Sequence, residues 1–346
     1  MRSLYEGFAN VVHDILSESL RVARIKVASI EGRAKSLESF GDKAKQASET
    51  DPALPKYSDP ISQIADLTGV RVITFFLDTI EEVDSVIKEE FDVLERLDKS
   101  HLLLQEERLG YQSVHYLVQL KSNRTHLPEY ARFAGLRAEI QLRTVLQHAW
   151  AEIEHDIQYK SLETIPAEVR RRFLALAGLL EIADREFQAV QQEDERLRVQ
   201  ARASVAAGQL AQVEITGDAL KAYLDKKLGP DGRMAQWAYE STARMLRQLG
   251  FTNFAQVDAC IAPYDHDALS RAVHGTRQGQ LTRFEDMIHA AFGDSFLKGY
   301  PYFANDPWWR DYKNARLAKI RASGVPVGEF TFDQGEATVG IAAPAS

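Results

Sequence analysis

Residues 137–144, Arg-Ala-Glu-Ile-Gln-Leu-Arg-Thr, alternate polar and apolar side chains without a break. A period of two belongs to a β-strand. It places Arg137, Glu139, Gln141 and Arg143 on one face and Ala138, Ile140 and Leu142 on the other. The apolar face calls for a cover of helices. The polar face offers an acceptor for a metal or a proton beside cationic donors for phosphate, and it equally suits a solvent-facing strand with cross-strand ion pairs.

Around this segment the pattern alternates between strands and helices. The β-branched and aromatic run 70–77 reads as a strand, followed by a helix over 78–91 with Asp78 as its N-cap. Two more strands are expected over 91–97 and 111–120. Residues 3–48 read as helical, from Leu4, Phe8, Val11, Val12, Ile15, Leu16 and Leu20 onward, with a second helical stretch carrying Arg33, Lys35, Ser39 and Lys43. Three prolines mark 49–60 as a loop. From 145 to about 204 the pattern is helical, and Val169, Phe173, Leu176, Leu180 and Phe187 are spaced as a core-facing stripe. The expected fold class is α/β, a mixed β-sheet flanked by helices, followed by a mostly helical second domain. The expected division is 1–204, 205–330, and a loosely held tail over 331–346.

Composition narrows the function classes. Hydrophobic residues make up 45% and charged ones 27% of 346 residues, which describes a chain that folds. No apolar run approaches the roughly 18–20 residues that span a bilayer, so a cytoplasmic protein with no membrane partner is expected. The single Cys260 has no partner for a disulfide, and no Cys/His cluster has zinc spacing. A net charge of −8 argues against broad nucleic-acid binding but leaves room for a local basic pocket.

Three other motifs carry chemistry. In Asp66-Leu-Thr-Gly-Val-Arg71, an acid able to hold Mg²⁺ and a guanidinium able to stack on a base flank the entrance of a strand. In Gly110-Tyr-Gln-Ser-Val-His115, a turn opens a strand on which Tyr111, Ser113 and His115 share one face, suited to stacking on a base and bonding a sugar or phosphate. In Gly32-Arg33-Ala-Lys35, with Ser39 and Lys43, cations and a hydroxyl recur at offsets suited to a polyphosphate. Singly, each also fits a bland reading: a turn residue before a strand, a packed aromatic, a charged helix face.

Their order is specific. Gly-Arg33-x-Lys35 with Ser39 and Lys43, Asp66-Leu-x-Gly-x-Arg71, Gly-Tyr111-Gln-Ser-x-His115 and Glu139-Ile-Gln-x-Arg143-Thr follow one another. They run on into Gln147-His148-Ala-Trp150-Ala-Glu152-x-x-His155 and Tyr159-Lys160. This set resembles the synthetase domain of the RelA/SpoT family, over roughly residues 20–165. The resemblance implies a nucleotidyltransferase-like domain that moves a diphosphate from ATP to the 3′-hydroxyl of GDP or GTP, giving ppGpp or pppGpp and AMP, with Mg²⁺ as cofactor. It implies that Arg33 and Arg71 sandwich the adenine and that Lys35, Ser39 and Lys43 meet the ATP phosphates. Asp66 and Glu139 would hold the metal, with Glu139 also the base. Tyr111, His115, Gln141 and Arg143 would face the acceptor. Homo-oligomeric assembly is a further implication, and residues 205–330 remain a helical domain for sensing or for binding a regulator.

The chain departs from the family before the Gly-Tyr pair. Members that make ppGpp carry a Lys-Asp-Tyr stretch and a Pro-Lys turn there, whereas this chain has Asp98-Lys99-Ser-His-Leu-Leu-Leu-Gln-Glu106-Glu107-Arg108-Leu-Gly. An acceptor without a 5′-polyphosphate, such as a tRNA 3′ end or an adenine nucleotide, is the alternative this loop fits; a catalytically silent nucleotide sensor is the non-enzyme alternative. The pairs His13-Asp14, His155-Asp156 and His266-Asp267 lack spaced partner histidines, so no alarmone hydrolase is expected.

Overall fold

Five strands build the first sheet: β1 Val27–Ala34, β2 Thr68–Thr74, β3 Phe91–Asp98, β4 Val114–Leu120 and β5 Ala138–Thr144. They lie in the order β1-β2-β5-β4-β3, with β2 and β5 parallel and the other neighbours antiparallel. The computed structural model describes residues 2–48, 51, 53–98, 113–161, 166–231, 234–298 and 306–332. The chain divides into two compact units, Met1–Gln192 and Glu193–Ser346. The first is a mixed sheet flanked by helices and the second is helical, as the sequence pattern implied.

Alternation decides which face of the sheet is covered. Val70, Val72, Val114, Tyr116, Val118, Ala138, Ile140 and Leu142 are buried against helices Arg2–Ala23 and Leu77–Glu90. Phe8, Val12 and Leu16 of the first helix and Val83 and Ile87 of the second supply the cover. One apolar side chain sealed in this way contributes about 1.5–3 kcal/mol. The residues between them, Arg71, His115, Glu139, Gln141 and Arg143, therefore emerge together on the opposite face.

The helical reading of 3–48 is corrected. The first helix stops at Ala23, followed by Arg24 in the left-handed region at φ 60°, and 27–34 is a strand paired antiparallel with β2. Two features favour the strand: the apolar 3.6-residue repeat ends at Leu20, and β1 satisfies the backbone groups along the outer edge of β2. Gly32 allows a close approach, because a Cβ there would stand 3.1 Å from the Ala9 carbonyl oxygen. Arg33 consequently sits on a strand and Lys35 in the connection, while Ser39 and Lys43 lie on helix Leu37–Ala44, N-capped by Ser36.

Two other expectations change. Asp78 is not the cap of helix Leu77–Glu90: Phe76 occupies that position, and Asp78 lies in the first turn, where its backbone N–H and carboxylate both meet the Gln188 side chain, at 3.0 and 2.6 Å. Helix Ala167–Ala207 does not use its apolar stripe as core, since Val169, Leu176 and Phe187 are exposed, together with Leu179 and Val190. Phe173 of the expected stripe meets Trp150, the ring centroids 5.1 Å apart and the planes tilted by 59°.

The second unit packs Leu220, Tyr223, Tyr239, Leu246, Phe254, Phe284 and Ile288 into one core. Four of its helices start on the side-chain caps Thr216, Asn253, Asp265 and Asp306. Phe330 and Phe332 pack on Phe251, so the chain is anchored through Phe332, beyond the point where a loose tail was expected to begin. Among the described residues no helix is long and apolar enough to cross a membrane.

Candidate active site

A hollow of about 390 Å³ opens on the polar face of the sheet, lined by Arg33, Lys35, Ser39, Asp66, Arg71, Glu139 and Gln141 together with Glu31. Register explains the convergence: Arg33 lies opposite Gly69, Glu31 opposite Arg71, and Arg71 opposite Gln141. Side chains far apart in sequence thus share one floor, and the absence of a side chain at Gly69 leaves space beside Arg33. A second hollow of about 200 Å³ is lined by Lys43, Asp66, Glu95, Leu97, His115 and Glu139. Asp66 and Glu139 line both.

Asp66 sits in the 3₁₀ turn Ala65–Leu67 that enters β2. Lys35 Nζ donates to its Oδ2 at 2.7 Å and Lys43 Nζ lies 3.0 Å from the same oxygen. Burial opposes ionisation here, but the two lysines outweigh it and hold the carboxyl below the usual range. Oδ1 is buried with no hydrogen-bond partner among the described residues. A backbone bond from Lys35 N–H to the Leu67 carbonyl, 2.9 Å, ties the lysine's segment to this turn.

Glu139 is likewise ionised. Burial raises its pKa, but His115 Nδ1, 2.6 Å from Oε1, and Gln141 Nε2, 3.3 Å from Oε2, bring it below the ordinary value. Asp66 and Glu139 repel one another, which works against the ionisation of Glu139. Two hard carboxylates with one orphaned oxygen suit a magnesium ion that takes its other ligands from phosphate and water. Among the described residues there is no group of three or more His, Cys, Asp or Glu placed for a metal.

On the other flank, helix Val145–Ser161 crosses β2 and β5. It starts on a reciprocal cap, Gln147 N–H donating to Thr144 Oγ1 at 3.1 Å and Thr144 N–H to Gln147 Oε1 at 2.8 Å. Glu152 on this helix lies 3.1 Å from Arg71, which Glu31 approaches at 3.9 Å. His148 is held below its ordinary pKa by burial and then by Arg71. Burial, then Arg71, also lowers the pKa of Arg143, whose Nε has no partner among the described residues.

The structure thus gathers Arg33, Lys35, Ser39, Asp66, Arg71, Glu139 and Gln141 around one hollow and Lys43 and His115 around the adjoining one. Arg143 continues the same strand face without lining either, and Arg137 is spent on the Ser62 carbonyl. Tyr111 and the 99–110 loop lie outside the described residues. Sequence reasoning gave no role to Glu31, named Glu152 only within the ordered motifs, and read the Ser113 hydroxyl only as a sugar or phosphate partner beside His115. Ser113 shares the His115 face by alternation, and Glu152 follows the Thr144-x-x-Gln147 helix start by two turns, so both carried a usable signal.

Residues 32–164 match the family described as the region found in RelA / SpoT proteins, less than half of the chain. The GTP pyrophosphokinase YwaC of Bacillus subtilis is 30% identical over 131 residues, 38% of this chain and 59% of that protein, so the chain spans under two thirds of this relative's length. The GTP pyrophosphokinase YjbM of the same organism is 27% identical over 170 residues, 47% of this chain and 72% of that protein. Among solved structures, the small alarmone synthetase 1 from Bacillus subtilis aligns with a TM-score of 0.46 at 23% identity, over 56% of this chain and 95% of that one. The ordered motifs from Gly32 to Lys160 all fall within the stretch that is similar to the RelA / SpoT region, and the helical unit Glu193–Ser346 lies outside it.

Proposed function

We propose that the first unit transfers a diphosphate from ATP to the 3′-hydroxyl of a guanine nucleotide, GDP or GTP, releasing AMP. The observation that carries this reading is the pair of adjoining hollows with Asp66 and Glu139 in the walls of both. A donor and an acceptor seated one in each would meet at the two carboxylates. The names of the two relatives, both GTP pyrophosphokinases, favour guanine as the acceptor base.

Arg33 and Arg71, across the larger hollow, are the groups to hold the adenine, and Lys35, Ser39 and Lys43 the groups to meet its phosphates. The acceptor's 3′-oxygen attacks the β-phosphorus as the bond from that phosphorus to the α–β bridging oxygen breaks. AMP leaves with the bridging oxygen, and the hydroxyl proton passes to Glu139. Asp66 and Glu139 would hold Mg²⁺, which when bound neutralises charge on the phosphate oxygens. Aligning the two nucleotides and balancing their charge supply most of the rate, since the transferred group needs little covalent help.

Incubating the chain with γ-labelled ATP and Mg²⁺, separately with GDP, GTP, ATP and deacylated tRNA, tests the acceptor. Label on guanine nucleotides supports the reading. Label on tRNA alone would transfer the same chemistry to the acceptor favoured by the Asp98–Gly110 sequence, and label on none would favour a nucleotide sensor.

A further inference from the structure

Ser113, immediately before β4, is buried at 6% exposure and lines neither hollow. Its Oγ lies 2.9 Å from His115 Nε2, and His115 Nδ1 lies 2.6 Å from Glu139 Oε1. The alternation of β4 puts the hydroxyl and the ring on one face, and the register sets His115 opposite Gln141, beside Glu139. Glu139 is therefore gripped from two sides, by the ring at Oε1 and by the Gln141 amide at Oε2.

We infer that Ser113 and His115 are positioning residues for Glu139, a hydrogen-bond chain that fixes which carboxylate lone pairs face the reacting groups. The inference rests on the diphosphate-transfer reading of the same site. An ionised carboxylate only accepts, so Nδ1 carries the proton toward Glu139; a neutral ring then leaves Nε2 as an acceptor. Ser113 Oγ is the donor within reach of it. The carboxylate thereby fixes the tautomer, and the Ser113 hydroxyl, bonded to the far ring nitrogen, holds the imidazole in the plane that presents Nδ1–H to Oε1. With one lone pair of each oxygen occupied by a protein donor, the second on each remains for the hydroxyl proton and the cation. Ser113 acts on the reaction only through His115.

The test uses the full chain. In nucleotide-free protein above neutral pH, ¹⁵N resonances of labelled histidine should report the Nδ1–H tautomer at His115 with Nε2 shifted by an accepted hydrogen bond, a shift lost in Ser113→Ala and regained in Ser113→Thr. In turnover, Ser113→Ala should lower kcat about tenfold while leaving KM for both nucleotides unchanged, with Ser113→Thr restoring it. His115→Asn keeps a donor near the Nδ1 position but offers nothing to Ser113, so adding Ser113→Ala to it should cost nothing more. An Nε2–H tautomer in the wild type, or a full tenfold loss from Ser113→Ala on top of His115→Asn, would overturn the chain. If the wild type transfers label to no acceptor, the functional reading fails, and the tautomer measurement alone decides the hydrogen-bond chain.

Discussion

Lys35 Nζ stands 2.7 Å from Asp66 Oδ2, and Lys43 reaches the same oxygen at 3.0 Å, so one carboxylate oxygen carries two ammonium groups while its neighbour Oδ1 is buried and unpartnered. The site thus balances its charge internally before any nucleotide arrives. Under the proposed reading, an incoming polyphosphate would offer the lysines a second anion and free the carboxylate.

This arrangement predicts a pH effect on stability. The folded-state pKa of Asp66 lies below its ordinary 3.8, so its contribution is present above that value and is lost as pH falls through the lower folded value. Asp66→Asn lacks this term. Urea midpoints of the wild type and Asp66→Asn should differ near neutral pH, with the wild type higher, and converge in strong acid. A constant difference down to the lowest pH would contradict the pairing.

Glu152 holds Arg71 at 3.1 Å with its own side chain 59% exposed, so the pair is a solvent-screened one. Exposed pairs contribute about 0.2–1 kcal/mol, which corresponds to at most about a fivefold change in binding. Glu152→Gln should raise KM for ATP within that limit and leave kcat unaltered. A large fall in kcat with KM unchanged would assign Glu152 to the reaction itself.

Much of the site could be read in the residues, for a physical reason. In β5 the same alternation that seals Ile140 and Leu142 inside puts Glu139 and Gln141 outside, so fold and site share one signal. Arg33 was harder to place because β1 owes its existence to pairing with β2, a partner more than thirty residues away, and nothing local in 27–34 outvoted the helical run before it. The Ser113–His115–Glu139 chain needed the register between β4 and β5, which no single strand encodes. The stripe on helix Ala167–Ala207 misled in the other direction, since helical spacing reports a shared face and not what covers it.

That stripe gives a stability prediction. Leu179 is 61% exposed and Phe284 fully buried, so Leu179→Ser should change the unfolding free energy by under about 0.5 kcal/mol and Phe284→Ala should cost about 3–5 kcal/mol. Denaturant titration of the two variants checks the contrast. Equal losses would mean that the helix face is covered.

His289 in the second unit is 1% exposed, stacks on Phe296 at 4.5 Å, and has no hydrogen-bond partner for either ring nitrogen among the described residues. Burial, then the nearby Lys313 and Arg316, pushes its pKa down from 6.5 to about 3. Unfolding releases a ring that takes up a proton below its ordinary pKa. Stability should therefore decline as pH falls from 6.5, by up to about 1.4 kcal/mol per pH unit. His289→Leu should flatten this slope between pH 6 and pH 4, measured by urea unfolding.

The transfer reaction itself is tested most directly by following γ-label from ATP to GDP or GTP in the wild type, Glu139→Gln and Asp66→Asn under identical Mg²⁺. Loss of a general base typically costs about 10²- to 10⁴-fold in rate. Two carboxylates shared by both hollows predict ready transfer in the wild type and a loss of that order in each variant. Undiminished transfer in either variant, or none in the wild type, would contradict it.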